Sequence, residues 1–221
     1  MTQVIVSYDG TRNDRDALAL GGLFAKAGAG ITLAYVRHAP EAEPEREASA
    51  QHEAEHLLSA GADLLGDASV AQRVIVNPST AEGLAALAGE IGADLIAFGS
   101  SHKTPPGRVS APHTAQQMLE RAVPFSLALA TAGLRREPVE RSIGTIAVYN
   151  PGDDPAALAS AETLAHALGA SVTDEADLLV IASRPEASPG QLLISSAALE
   201  QVDEASCPVL LLARGAALSF D

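Results

Sequence analysis

A loop at positions 99–113 carries the side chains of this sequence that are best suited to binding an anion. It follows a buried apolar run, Leu95–Phe98, and it leads into a helix-periodic stretch. No Asp or Glu lies between positions 99 and 119. Helix-start amides and cationic side chains are the groups with which α/β proteins hold phosphate. The candidate side chains are His102, Lys103, Arg108 and His113.

A second pattern could bind a metal. His52, Glu53 and His56 match the sequence H-E-x-x-H, in which two histidines one helical turn apart hold zinc and the glutamate acts as a base. No third ligand is evident, and the surrounding helix is rich in Glu. We therefore expect both histidines on an exposed helix face, with a metal-dependent hydrolase as the alternative. No other pattern supports nucleophilic catalysis, so we expect no catalytic residue.

Composition narrows the classes of partner. The net charge is −14, which repels nucleic acid and anionic lipid, so we expect neither partner. Residues 1–136 carry 11 Lys and Arg against 15 Asp and Glu, a net charge of −4, whereas residues 137–221 carry 3 against 13, a net charge of −10. The single cysteine, Cys207, excludes an internal disulfide framework. With no apolar run of membrane-spanning length and no leader-like start, we expect a cytoplasmic protein.

Short apolar runs alternate with helical periodicity over residues 2–131. Continuous apolar strands that alternate with helices indicate a mostly parallel sheet covered on both faces. The predicted strands are 4–6, 31–36, 70–76, 95–98 and 125–130. The predicted helices start near 14 and 45 and span 80–91 and 115–122. The pattern therefore predicts a doubly wound five-strand α/β domain over 1–132, followed by a charged linker over 133–141.

The pattern then starts again in a shorter form over 142–221. Tyr8 and Tyr149 lie 141 residues apart, whereas Asp94 and Asp177 lie only 83 apart, so the second copy lacks 58 residues between its first and fourth strands. In a sheet of order 3-2-1-4-5, loss of strands 2 and 3 leaves a contiguous 1-4-5 sheet. We expect the helix over 155–169 to cross directly from strand 1 to strand 4, on the face that the helix before strand 4 normally covers.

These features together resemble the universal stress protein family in its tandem form, which has an adenine-nucleotide α-hydrolase-like fold. The residues that carry the resemblance are the strand ending Tyr8-Asp9-Gly10-Thr11, the loop Gly99-Ser100-Ser101-His102, and the closing Ala-Val-Pro and Ser-Cys-Pro-Val segments. The resemblance covers nearly the whole chain, with the second repeat as a truncated remnant.

The family's nucleotide-binding members carry Gly-x2-Gly-x9-Gly-Ser/Thr in this loop. Here the pattern becomes Gly99-x2-His102-x9-Pro112-His113, so only its first position is retained. Proline has no N–H to offer phosphate. At Pro112 the simpler interpretation is that proline occupies the first position of the helix, where it is favoured.

Positions of the family's site outside this loop pattern are retained more fully. The resemblance places Asp9 and Val36 where binding members hold adenine, with Gly10 and Ser100 beside them, although Asp9 is also a typical turn residue and Val36 a typical core residue. In the second repeat Asn150 stands at the aspartate position and Ala182-Ser183 replaces the glycine. We expect no nucleotide there.

Three functions remain open. The first is a non-catalytic stress-response protein with a degenerate nucleotide site that acts through protein contacts. The second is a binder of ATP or AMP that uses the side chains of the altered loop. The third is the metal-dependent hydrolase. Because family members dimerise through their fifth strands, we also expect an internal pseudo-dimer in which residues 125–130 pair antiparallel with 209–213 and cover two apolar edges.

Overall fold

The structure is a computed structural model that describes residues 1–136 and 143–220. Its N-terminal half consists of β1 (Gln3–Ser7), α1 (Asp14–Lys26), β2 (Gly30–Arg37), α2 (Pro44–Leu65), β3 (Ala71–Val76), α3 (Thr80–Ile91), β4 (Leu95–Phe98), α4 (His113–Glu120) and β5 (Ser126–Leu129). Its C-terminal half consists of β6 (Thr145–Tyr149), α5 (Pro155–Leu168), β7 (Ser171–Val172), β8 (Leu178–Ala182), α6 (Ser196–Glu204) and β9 (Val209–Leu212).

The described strands form one nine-stranded sheet in the order β3-β2-β1-β4-β5-β9-β8-β6-β7. The N-terminal half is parallel throughout and has the order 3-2-1-4-5, as predicted. β8 pairs parallel with both β6 and β9, so the C-terminal half retains the predicted 1-4-5 order. The α/β doubly wound fold is confirmed.

β5 and β9 join the two halves. They pair antiparallel, with Leu127 opposite Leu211 and Leu129 opposite Val209. Every residue of both strands is buried. Because each strand supplies the pairing edge that the other lacks, the apolar edges of both halves are covered within one chain.

Two layers of helices cover the sheet. α1, α2 and α5 pack in one hydrophobic cluster, and α3, α4 and α6 pack in the other. The expectation for the helix over 155–169 was therefore wrong, because α5 lies on the face of α1. The reason is β7, which pairs with the first residues of β6 on the side where β2 lies beside β1. α5 thus connects β6 to this remnant of a second strand by an ordinary right-handed crossover.

The start of α4 also differs from the prediction. The helix was expected at 115–122, but it spans His113–Glu120, and Pro112 is its N-cap residue instead of its first helical residue. The Pro112 carbonyl accepts the first helical hydrogen bond, from the amide of Gln116 at 3.0 Å. Ala122 has a φ of 52°, which ends the helix two residues before the expected end.

Matching hydrogen bonds support the internal repeat. The Asp94 carboxylate accepts from the amide of Gln3, the first residue of β1, and the Asp177 carboxylate accepts from the amides of Gly144 and Thr145 at the start of β6. The two aspartates therefore fix the start of strand 1 in each half in the same way.

The C-terminal segment after β9 returns to the N-terminal half. The amide of Thr2 donates to the carbonyl of Ser219 at 3.0 Å, and the Phe220 ring stacks on Phe24 of α1 with centroids 5.9 Å apart. Most of the predicted linker lies outside the described residues, and its described beginning, Leu134–Arg136, is one 3-10 turn. Within the described part of the chain, no helix has the length and hydropathy needed to cross a bilayer.

Candidate functional site

A cleft of about 850 Å³ opens at the carboxyl ends of β1, β2 and β4. Parallel sheets of this kind bind ligands at such an edge, where the strand order reverses between β1 and β4. The side chains and backbone that line it come from three loops and the first residues of two helices. The lining residues include Asp9, Arg12, Asn13, Asp14, Val36, His38, Gly99, Ser100, His102, Pro112, His113 and Thr114.

A pair of carboxyl groups forms the β1 wall of the cleft. Asp14 Oδ2 accepts from the amide of Asp9 at 2.6 Å, and Asp9 Oδ1 accepts from the amide of Thr11 at 2.8 Å. Burial, followed by the hydrogen bond and charge of Asp9, raises the pKa of Asp14 to about 8. Burial also acts to raise the pKa of Asp9, but hydrogen bonds from Asp14 and Thr11 outweigh it and lower that pKa. At neutral pH the pair therefore shares one proton and carries about one negative charge.

The β2 wall is apolar and rigidly supported. Val36 lines the cleft, and the next residue, Arg37, is 7% exposed and makes two hydrogen bonds to Glu47 of α2, at 2.8 and 2.7 Å. Hydrogen bonding to Arg37 and to the amide of Glu41 lowers the pKa of Glu47 to about 2. This network fixes the start of the loop that follows β2, with His38 at the rim of the cleft.

Gly99 is required by packing. A Cβ at this position would lie 2.0 Å from the backbone oxygen of Asn13, so no side chain fits. The Asn13 side chain donates to the carbonyl of Ser100 at 2.7 Å. Ser100 Oγ in turn donates to the Ala130 carbonyl and accepts from the Ser110 amide. The retained glycine therefore joins the loop to the start of α1, whether or not it contacts a ligand.

The start of α4 reaches the cleft through Pro112, His113 and Thr114. Pro112 provides no side-chain cap. The amides of a first helical turn have no partner within the helix, so this helix start can accept an anion. In α6, the equivalent helix, Ser195 Oγ accepts from the Ala198 amide and caps the first turn.

The structure brings together six of the nine predicted site residues. The six that line the cleft are Asp9, Val36, Gly99, Ser100, His102 and His113. Gly10, Lys103 and Arg108 do not line it. The Arg108 guanidinium instead donates to the Glu204 carbonyl at the end of α6, 2.9 Å away. Gly10 is held in a turn with a φ of 80°, where a Cβ would collide with Leu57.

The H-E-x-x-H pattern lies on the outside of α2. His52, Glu53 and His56 are all exposed, which confirms the predicted exposed face. Among residues 1–136 and 143–220, no three His, Cys, Asp or Glu side chains form a group that could hold a metal ion. The pattern therefore has no third protein ligand in the described chain.

At the matching end of the C-terminal half, the side chains make internal contacts. Asn150 exchanges two hydrogen bonds with the backbone of Asp154, each at 2.9 Å. The Asp154 carboxylate accepts from Ala156 and Gly215 amides. Pro185 packs so tightly over Gly152 that a Cβ there would lie 2.7 Å from its ring. The groups that form the cleft in the N-terminal half are here used in internal contacts.

Several cleft residues were not predicted as site residues, and Arg12 and Asp14 are the charged ones among them. Arg12 lies in the loop between β1 and α1, and Asp14 was recognised only as the start of a helix. No motif identifies Arg12. The short spacing between Asp9 and Asp14, in a turn that leads into a helix, was a signal for a carboxyl pair.

Comparison with known proteins gives a consistent result. The sequence model of the Universal stress protein family matches residues 1–123. A putative universal stress protein from Pseudomonas aeruginosa UCBPP-PA14 is 15% identical, with a TM-score of 0.64 over 97% of this chain and 94% of that one. A universal stress protein from Archaeoglobus fulgidus DSM 4304 is 16% identical, with a TM-score of 0.59 over 96% of this chain and 98% of that one. No curated protein matches significantly.

Proposed function

Since this chain belongs to the universal stress protein family, we propose that it is a non-catalytic stress-response protein whose N-terminal half binds one adenine nucleotide. The observation that supports this most is the contrast between the two halves. A cleft opens beside Asp9, whereas the Asn150 side chain at the equivalent position is engaged in two hydrogen bonds with the backbone of Asp154. We also propose that the protein is cytoplasmic, as its sequence predicts.

The lining of the cleft suits an adenosine moiety. Val36 offers an apolar surface to a flat base, and the Asp9–Asp14 pair offers acceptors to amino or hydroxyl groups. The uncapped start of α4 offers amide donors to phosphate. Apolar walls with a few polar groups are typical of small-molecule sites.

A second candidate function is that of a stress-response protein whose nucleotide site is degenerate and which acts through contacts with other proteins. It is favoured by Pro112, which has no N–H to offer phosphate, and by Arg108, which contacts α6 instead of the cleft. The histidine-based hydrolase has no comparable support, because His52 and His56 are exposed on α2.

Isothermal titration calorimetry with AMP and ATP, with and without Mg²⁺, separates the two candidates. We expect heat with at least one nucleotide, at one site per chain, and no phosphate release from ATP. An Asp9→Ala variant should lose this heat, whereas Asn150→Ala should retain it. No heat from any adenine nucleotide at millimolar concentration would favour the second candidate.

A further inference from the structure

The charged groups around the cleft limit how many phosphates it can hold. Among the described residues that line it, Arg12 is the one Lys or Arg side chain, and two carboxyl groups and three histidines accompany it. Lys103 and Arg108 belong to the adjacent loop but are not among the residues that line the cleft, and the Arg108 guanidinium donates to the Glu204 carbonyl instead. The chain also carries a net charge of −14, which opposes the approach of a polyanion.

One of the two helix starts at the cleft already has its own acids. The Asp14 carboxyl group, in the first turn of α1, accepts from the Asp9 amide, and Asp9 accepts from the Thr11 amide. A phosphate at this end would meet the negative charge of the carboxyl pair at close range. Donor groups such as ribose hydroxyls or an amino group fit better there.

The start of α4 is the other helix start, and it has no acid. Its first turn contains His113 and Thr114 and no Asp or Glu. Both residues line the cleft, and Pro112 leaves the first turn without a side-chain cap. The helix dipole and free amides there favour one anionic group. Arg12 and His102 lie among the same lining residues.

On the premise of nucleotide binding made above, we propose that the cleft selects a nucleoside monophosphate over the corresponding triphosphate. One phosphate occupies the start of α4, and the nucleoside lies between Val36 and the Asp9–Asp14 pair. A triphosphate adds about two negative charges at neutral pH but meets no further Lys or Arg among the described lining residues. Each added charge then interacts mainly with the carboxyl pair and the acidic surface.

Calorimetry with adenosine, AMP and ATP at pH 7, in about 0.1 M salt without Mg²⁺, tests the proposal. We expect AMP to bind roughly tenfold more tightly than ATP and roughly fivefold more tightly than adenosine. ATP binding as tightly as AMP would overturn the monophosphate preference and leave the proposed function intact. Equal binding of adenosine and AMP would overturn the phosphate position at α4. No binding of any of the three would instead contradict the proposed function.

A pair of matched variants tests the role of the cations. Arg12→Gln should weaken AMP roughly fivefold and leave adenosine unchanged. Arg108→Gln, which removes the same charge from outside the cleft, should leave both affinities unchanged. A loss of AMP binding in Arg108→Gln with none in Arg12→Gln would overturn the assignment. Thermal unfolding of both variants checks that each is folded.

Discussion

At the scale of single residues, the Asp9–Asp14 pair is the most unusual feature of the cleft. Asp14 is desolvated and hydrogen-bonded to Asp9, and Arg12 lines the same cleft. The raised pKa of Asp14 means that the folded protein holds a proton that the unfolded chain releases. Stability from this group is therefore present at low pH and is lost as the pH rises from about 4 to about 8.

Asp14→Asn should remove this loss, because an amide cannot ionise. We expect the variant to gain stability relative to the parent as the pH rises, reaching on the order of 5 kcal/mol at pH 8, because the pKa of Asp14 lies about four units above its ordinary value. Thermal unfolding of both proteins at pH 4.5, 6 and 8 measures the difference. Asp67→Asn is the control. Hydrogen bonds from Ser69 lower the pKa of the exposed Asp67, so this variant should lose stability relative to the parent as the pH rises. A constant difference between Asp14→Asn and the parent would contradict the shared proton.

Cys207 should be an unreactive thiol. Burial, followed by repulsion from Asp177, raises the pKa of Cys207 to about 11. At pH 8 the thiolate fraction of the folded protein should then be roughly 100-fold below that of the unfolded chain. The rate of reaction with a disulfide reagent, measured with and without denaturant, checks this. Equal rates in the two conditions would contradict it.

At the scale of elements, the loop after β4 and the start of α1 act as one unit. Gly99 lets the loop backbone approach Asn13, and the Asn13 side chain holds the Ser100 carbonyl. Ser100 Oγ also connects the loop to the residue after β5, because it donates to the Ala130 carbonyl and accepts from the Ser110 amide. Ser183 makes the corresponding bonds in the C-terminal half, where its Oγ donates to the Leu212 carbonyl and accepts from the Leu193 amide. This shared connection explains why the loop keeps its fold although its nucleotide pattern is altered.

Gly99→Ala should destabilise the protein by roughly 1–3 kcal/mol, because its Cβ would overlap the backbone oxygen of Asn13. Gly89→Ala is the matched control. Gly89 is exposed in α3 with open space around it, so alanine there should stabilise by about 0.5–1 kcal/mol. Chemical denaturation of both variants gives the two values. A Gly99→Ala variant as stable as the parent would show that the close approach to Asn13 is not needed.

At the scale of the whole molecule, contacts of several kinds join the halves. They include the antiparallel pairing of β5 with β9, the hydrogen bond from Arg108 to the Glu204 carbonyl, and the C-terminal segment, which packs against the beginning of β1 and against α1. Arg135, at the beginning of the linker, pairs with the buried Asp16 of α1 at 2.7 Å and so ties the linker to the N-terminal half. The acidic C-terminal half thus acts as an internal partner of the N-terminal half.

Phe220→Ala should destabilise both halves together. Phe220 is 2% exposed and stacks on Phe24, so its loss should cost about 3–5 kcal/mol. Amide hydrogen exchange should become faster in α1 as well as in the C-terminal segment. Leu158→Ala, at an exposed position of α5, should change stability by less than about 0.5 kcal/mol. Unchanged exchange in α1 of Phe220→Ala would show that the C-terminal segment does not stabilise the N-terminal half.

The sequence by itself determined the order of the elements and the class of the fold. Continuous apolar strands that alternate with helices allow few sheets other than a doubly wound parallel one, and the repeat spacing located the missing block. Local pattern was also sufficient for α3 and β4, whose predicted bounds are those observed. The prediction for α4 was wrong by two residues, because Pro112 is the N-cap residue and the helix therefore begins at His113, before its first buried apolar residue, Ala115.

Only the tertiary structure decided the face of α5 and the composition of the cleft. The two residues of β7 form too short a pattern to be recognised as a strand, yet their pairing with β6 places α5 beside α1. Side-chain direction in a long loop depends on contacts far along the chain, and so Arg108 contacts α6 while Arg12 lines the cleft. The proton shared by Asp9 and Asp14 likewise requires the burial that only the packed loops provide.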